Sequence, residues 1–205
     1  MEPEVVGVTG LPCAGKSLAA RLLAEFAGGR VIQADRLGHQ ILAKPETETE
    51  LRRRWGDEIV SAGRPAETRR RIARRVFADP EALAWLEALV HPQVIRETSR
   101  LVRDRGGLTV IEAALLFAAG MEKFCGHILL IEADFSLRLE RALRRGWSRE
   151  EFERRDARLL PLFPAPPRPD PEKALFTIRN DDDDDRLASK VAAAWNRIIE
   201  AKGIK

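Results

Sequence analysis

At 205 residues the chain has the size of one domain with room for an inserted lobe, and its 44 % hydrophobic and 33 % charged residues are those of a globular protein rather than a disordered one. Two cysteines, Cys13 and Cys125, argue against a disulfide framework, and no apolar run approaches the ~18 residues of a membrane span. The expectation is a cytoplasmic monomer or weak homo-oligomer with no membrane partner, and the acidic start MEPEVVGV, which leads straight into a strand-like run, does not read as a signal peptide.

The net charge of +3 is unevenly spread: Arg69 to Arg75 reads RRRIARR, while Asp181 to Asp185 are five consecutive aspartates. Such a basic stretch suits a solvated helix face or a phosphate-bearing ligand. No recognition helix or base-stacking platform accompanies it, so nucleic acid is not an expected partner.

In chain order, Val5–Thr9 reads as a buried strand and Ser17–Phe26 as a helix, with Leu18, Leu22, Leu23 and Phe26 at helical spacing and Gly28-Gly29 as its stop. Arg30–Gln33 is a short second strand. Asp35 opens a further helix with Leu37, Ile41 and Leu42 on one face, and Pro45 is expected to stop it. Glu48–Trp55 and Thr68–Phe77 look helical. Asp79-Pro80 is an N-cap with proline at the first helical position, and His91-Pro92 is expected to bend or restart the helix that follows.

Leu108–Ile111 and Ile128–Ile131 are strands, Leu137–Leu143 is a helix, and Ser148 to Glu151 form a capping box that opens another. The proline-rich 160–171 cannot continue that helix. Phe176–Ile178 is a last strand and Leu187–Ile199 a closing helix. Strands alternating with helices predict an α/β protein with a five-stranded parallel sheet covered on both faces. The strand-free stretch from about 45 to 105 predicts an inserted helical lobe within a single domain spanning 1–205.

Between the first strand and the first helix stands GLPCAGKS, Gly10 to Ser17, which fits G-x-x-x-x-G-K-[ST] in the strand–loop–helix context that such a phosphate-binding loop requires. Gly10 and Gly15 let the backbone curl so that successive N–H groups face phosphate oxygens, and the helix N-terminus adds its positive dipole end. Leu11, Pro12, Cys13, Ala14 and Leu18 belong to the same cradle. Lys16 reaches terminal phosphates and the Ser17 hydroxyl can ligate Mg²⁺, so ATP with Mg²⁺ is the expected pair. Cys13 within the loop reads as a small filler or as an oxidisable thiol at a helix N-terminus.

Asp35 lies just past the second strand, at the functional edge of a parallel sheet. A carboxylate there can accept the proton of an attacking hydroxyl, and it can equally cap the following helix. A lobe inserted between the second and third strands favours a kinase over a simple nucleotide hydrolase, because it can hold a second substrate.

These motifs together resemble the dephospho-coenzyme A kinase family of P-loop kinases. The resemblance rests on GLPCAGKS, on VIQADRLGHQIL around Asp35, on RRRIARRVFADPEALAWLEALVHPQVIRE from Arg69 to Glu97, on ALLFAAGME around Leu116, on LERALRRGWSREEFERR and on FTIRN ending at Asn180. It implies a three-layer α/β/α P-loop kinase with a lid at about 141–172 that transfers the ATP γ-phosphoryl group to the ribose 3′-hydroxyl of dephospho-coenzyme A. By motif position, it implies Asp35 as general base beside Lys16. Arg69, His91 and Leu116, with Asp35, would serve the acceptor side. Arg141 and Arg145 would be lid arginines over ATP, and Asn180 the asparagine near adenine.

The chain departs from the family pattern in several places. Gln33 stands where an aspartate is usual, and Ala114 and Ala118 replace a proline and a glutamate. Leu18 replaces a threonine, Leu159 falls near a usual glutamine, Leu175 follows Ala174 where an aspartate is usual, and aspartates replace a glycine after Asn180. Glu112, at the end of the third strand, is a candidate for a nearby carboxylate. A paralogue with another nucleotide-like acceptor, or a nucleotide-binding protein without transfer activity, are the alternatives that these departures leave open.

Overall fold

The computed structural model describes residues 4–104, 107–162 and 174–201. Five strands run parallel in one sheet of order β2-β3-β1-β4-β5: β1 Glu4–Gly10, β2 Arg30–Gln33, β3 Leu108–Glu112, β4 His127–Glu132 and β5 Ala174–Arg179. Val6 of the central strand pairs with Val110 on one side and His127 on the other. Val6, Val8, Val110, Leu129 and Ile131 are fully buried, the apolar pattern expected of strands covered on both faces. Because β1 lies between β3 and β4, successive crossovers diverge from it, and the loop after β1 opens at this switch point.

Eight α-helices accompany the sheet among the described residues: α1 Lys16–Phe26, α2 Ala34–Leu42, α3 Pro45–Trp55, α4 Pro65–Ala78, α5 Pro80–Asp104, α6 Phe135–Arg144, α7 Arg149–Leu159 and α8 Asp184–Ala201. On one face of the sheet, Ala19, Ala20 and Leu23 of α1 pack with Leu187, Val191 and Ile198 of α8. On the other, Leu116 and Cys125 lie against Gly7, where an added Cβ would come within 2.8 and 3.0 Å of them.

The chain divides into two compact units, residues 1–33 with 101–205, which carries the sheet, and the helical residues 34–100. The helical unit thus opens with α2, earlier than the stretch from about 45 that sequence composition marks out. Its core is Leu51, Ile59, Val60, Ile72, Val76 and Ala82, with Trp55 and Trp85 edge to face at 4.9 Å. The buried Thr68 hydroxyl accepts the Ser61 N–H at 2.9 Å.

Two prolines add to what the sequence suggests. Pro45 occupies the first turn of α3, where its missing N–H costs nothing, so it starts a helix as well as ending one. Pro92 sits inside α5, which runs unbroken from Pro80 to Asp104. The cost of one lost backbone bond is local to the Ala88 carbonyl, and the next carbonyl, Leu89, receives the Gln93 side-chain amide at 3.0 Å. Flanking caps follow the sequence closely. Asp79 Oδ1 accepts from the N–H groups of Glu81 and Ala82, and Ser148 Oγ from that of Glu151. The proline-rich segment lies largely outside the described residues, its start forming a short 3₁₀ turn at Leu160–Leu162.

Leu23 is fully buried between the sheet and α8. Leu23→Ala is therefore expected to lower unfolding free energy by about 2–5 kcal/mol in urea denaturation, whereas a loss within measurement error would contradict this packing.

Candidate active site

The loop from Gly10 to Ser17 owes its path to backbone that only certain residues tolerate. Gly10 has φ 152°, and a Cβ there would lie 2.2 Å from the Ile131 carbonyl oxygen. Cys13 is the one non-glycine residue with positive φ among the described residues, at 60°, and Gly15 follows at 105°. Left-handed residues between right-handed ones turn consecutive N–H groups toward one concavity, the geometry that receives phosphate oxygens. Lys16 Nζ donates to the Leu11 carbonyl at 3.0 Å, which lays its ammonium across the loop.

Asn180, at the end of β5, locks this loop from behind. Its N–H donates to the Glu132 carbonyl at 2.7 Å, and its Nδ2 donates to the Ala14 carbonyl at 2.8 Å. Its own carbonyl accepts Arg141 Nη2 at 3.0 Å, while Arg141 Nη1 reaches the Cys13 carbonyl at 3.5 Å. Asn180 Oδ1 remains a buried acceptor with no hydrogen-bond partner among the described residues, which a ligand donor could satisfy. Arg145 Nη1 lies 3.8 Å from Cys13 Sγ.

A cavity of about 380 Å³ opens over this arrangement, lined by Gly15, Lys16 and Ser17 on one side and by Arg141, Arg145 and Asn180 on another. Cys13 and Leu18 also line it, as do Asp184 of the aspartate run and two residues that no motif marks, Arg21 and Arg144. Its charge is strongly positive, which suits a polyphosphate.

Arg138 was also missed, although it lies on the same stripe of α6 as Arg141 and Arg145, at i, i+3 and i+7. It is 4 % exposed and forms a buried ion pair with Asp156 of α7. Its guanidinium lies 5.8 and 5.6 Å from the rings of Phe135 and Phe152, and Nη1 also reaches the Pro12 carbonyl at 3.4 Å. It thereby ties the start of the loop to α6 and α7.

Ser17 Oγ also donates to Glu112 Oε1, and Gln33 Nε2 donates to Glu112 Oε2 at 3.1 Å. Both donors and the carboxylate belong to strand ends and the first turn of α1, so they are set by backbone pairing. Among the described residues no cluster of three His, Cys, Asp or Glu side chains could cage a metal. Mg²⁺ needs no such cage: it keeps waters and takes one or two protein oxygens beside substrate phosphates, and a hydroxyl beside a carboxylate is an oxygen set of the right hardness.

Of the acceptor-side candidates, Leu116 is fully buried against Gly7, so its side chain serves packing and presents no surface to a substrate. Asp35 lies exposed in the first turn of α2, in the helical unit. In that unit His39 and Arg69 line a common niche with Thr68 and Glu48. Desolvation, with the Arg69 charge beside it, pushes the His39 pKa below its ordinary value against the opposing pull of Asp35. His91 is half-buried on α5, one residue before Pro92.

The parallel sheet, the glycine-bent loop at its switch point and the arginine-lined cavity define a P-loop kinase. The Campylobacter jejuni dephospho-CoA kinase, at 21 % identity, shares this fold with TM-score 0.63 over 97 % of this chain and 98 % of its own. The chain belongs to the dephospho-CoA kinase family, whose profile matches residues 4–161. It is 33 % identical over 205 residues to the dephospho-CoA kinase of Chlorobaculum tepidum, covering 96 % of both proteins. The crystal structure of TT1252 from Thermus thermophilus is similar at 33 % identity and TM-score 0.77, with 98 % of each chain covered.

At φ 105°, an alanine in place of Gly15 would carry its Cβ 2.2 Å from Asn180 Nδ2. Gly15→Ala is expected to weaken Mg·ATP binding, read by calorimetry, by roughly tenfold or more, equivalent to about 1.4 kcal/mol. Unchanged affinity would show that the asparagine does not shape the loop.

Proposed function

We propose that the protein transfers the γ-phosphoryl group of ATP to the ribose 3′-hydroxyl of dephospho-coenzyme A. The observation that carries this reading is the polyphosphate-sized, arginine-lined cavity over the GLPCAGKS loop, in a chain matched to the dephospho-CoA kinase family over most of its length. The loop N–H groups and Lys16 hold the phosphates. Ser17 is the protein oxygen that would hold Mg²⁺, which would supply positive charge against that of the phosphates.

Arg141 and Arg145 bring fixed guanidinium groups to the same cavity. Phosphoryl transfer of the loose kind spreads charge over oxygens, and donors already in place stabilise it without reorganising. The described residues 141–162 form the first part of the lid that carries them, and the rest of that segment, to about 172, lies outside the described residues. Asn180 supports the base-side end of the nucleotide. Asp35 takes the proton of the attacking 3′-hydroxyl, which sharpens the nucleophile at the moment of transfer. Arg69 and His91 serve the acceptor, whose phosphates call for a cation.

The protein works in the cytoplasm as a monomer or weak homo-oligomer. Neither Cys13 nor Cys125 is in a disulfide, and among the described residues no helix is long and apolar enough to cross a membrane.

Turnover of dephospho-coenzyme A with Mg·ATP, compared between the wild type and Asp35→Asn, tests the reaction. The expected result is coenzyme A from the wild type and a kcat lower by about a hundredfold or more in the variant, with ATP affinity retained. Wild type that binds ATP and makes no coenzyme A would overturn the acceptor assignment. An Asp35→Asn enzyme of near-normal kcat would remove the proton-accepting role.

A further inference from the structure

The aspartates at 181–185 divide by what their carboxylates hold. Asp181 accepts from Arg179 and from the Asp134 N–H, and Asp182 accepts from Lys190 and Arg186. Asp183 Oδ1 accepts the Arg186 N–H at 2.9 Å and so caps the start of α8. Asp184, the next residue, is exposed, and its carboxylate has no ion pair or hydrogen bond among the described residues. It lines the nucleotide cavity together with the cations Lys16, Arg21, Arg141, Arg144 and Arg145, and among the described residues it is the one acid of that lining. The packing of α8 sets it there. Leu187 is buried, with its Cδ2 3.9 Å from the point that a Cβ on Gly15 would occupy. Residues three apart share a helix face, so Asp184 lies on the side of α8 that meets the phosphate loop.

An ionised carboxylate only accepts hydrogen bonds, and it repels phosphates. Asp184 therefore serves another part of the nucleotide. Outside its phosphates, ATP offers as donors the two ribose hydroxyls and the adenine amino group. Asn180 gives a second, independent sign that the cavity awaits donors: it is 4 % exposed, lines the same cavity and keeps Oδ1 as a buried acceptor with no partner among the described residues. A buried, neutral amide oxygen suits the amino group of a base. An exposed, charged carboxylate suits the ribose diol, whose neighbouring cis hydroxyls can each donate to one of its two oxygens.

We propose that Asp184 accepts from the ribose 2′- and 3′-hydroxyls of the nucleotide and makes the protein discriminate ribonucleoside from deoxyribonucleoside triphosphates. The inference rests on reading the chain as an ATP-dependent kinase and deepens it. The rim is open to water, so the effect is that of a partly solvated hydrogen bond rather than of a buried one.

The test is the dissociation constant, by calorimetry with Mg²⁺ present, of ATP, 2′-deoxyATP and 3′-deoxyATP for wild type, Asp184→Ala and Asp184→Asn. Wild type is expected to bind each deoxynucleotide roughly 3–10-fold more weakly than ATP, the worth of one such hydrogen bond. In Asp184→Ala that preference should vanish, and in Asp184→Asn, which keeps one acceptor oxygen, part of it should remain. A wild type that does not discriminate, or an Asp184→Ala protein that discriminates as the wild type does, overturns the proposal. Inosine triphosphate, with an oxo group in place of the amino group, separates base from sugar. If Asp184→Ala loses the preference for ATP over inosine triphosphate and keeps the sugar preference, the carboxylate serves the base and the proposal falls. Asp185→Ala, a neighbouring acid outside the lining, should leave every ratio unchanged; an equal loss there would show a general charge effect and contradict the assignment. If Asp184→Ala does not fold, as judged by thermal melting, Asp184→Asn decides alone, and full discrimination in it is the contrary result. Dephospho-coenzyme A turnover is read separately: ribose discrimination without turnover sinks the acceptor assignment and leaves this proposal standing, whereas a wild type that binds no nucleotide overturns both.

Discussion

The nucleotide-binding unit depends on one close approach, that of Asn180 to the backbone at Gly15. Only the absence of a side chain at Gly15 lets the asparagine amide reach the Ala14 carbonyl, and that bond fixes the loop at its sharpest bend. The same residue accepts from Arg141, so one position at the end of β5 sets both the floor of the cavity and one of its arginines. The parallel sheet makes this possible, because the Asn180 N–H is itself anchored on the Glu132 carbonyl at the end of β4.

Around that contact the site is divided by charge. Arginines of α6 gather on one flank, and Arg138 among them is spent internally on Asp156, where breaking the pair would leave an uncompensated buried charge at a cost of about 3–5 kcal/mol. Its role is to hold α6 and α7 to the loop, so that Arg141 and Arg145 stand where they do. The carboxylate flank, Glu112 with Ser17 and Gln33, is of the opposite chemical character, an oxygen set suited to a cation rather than an anion.

Much of this was legible in the sequence, because the phosphate loop is a local device: spacing of Gly10, Gly15, Lys16 and Ser17 after an apolar strand carries its own geometry. Strand and helix order followed from periodicity, and the caps at Asp79 and Ser148 from residue type. What was not legible depends on distant residues meeting. Nothing in the spacing of Arg138 and Asp156 says that they pair, although the shared stripe with Arg141 and Arg145 hints at a common direction. Leu116 stands next to motif residues yet faces the core, because the chain after β3 turns back over Gly7. His91-Pro92 reads as a bend or restart, and α5 does not restart there but runs as one helix with Pro92 inside it.

The claim that loop, asparagine and arginine act as one unit is tested most directly by a double-mutant cycle on Mg·ATP affinity with Asn180→Ala, Arg141→Ala and the double variant. The account predicts that the two losses do not add: the double variant should fall short of their sum by more than about 0.5 kcal/mol, because each single change already releases the same bend. Losses that add within that margin would show two independent contacts, and would contradict a loop shaped by one shared lock.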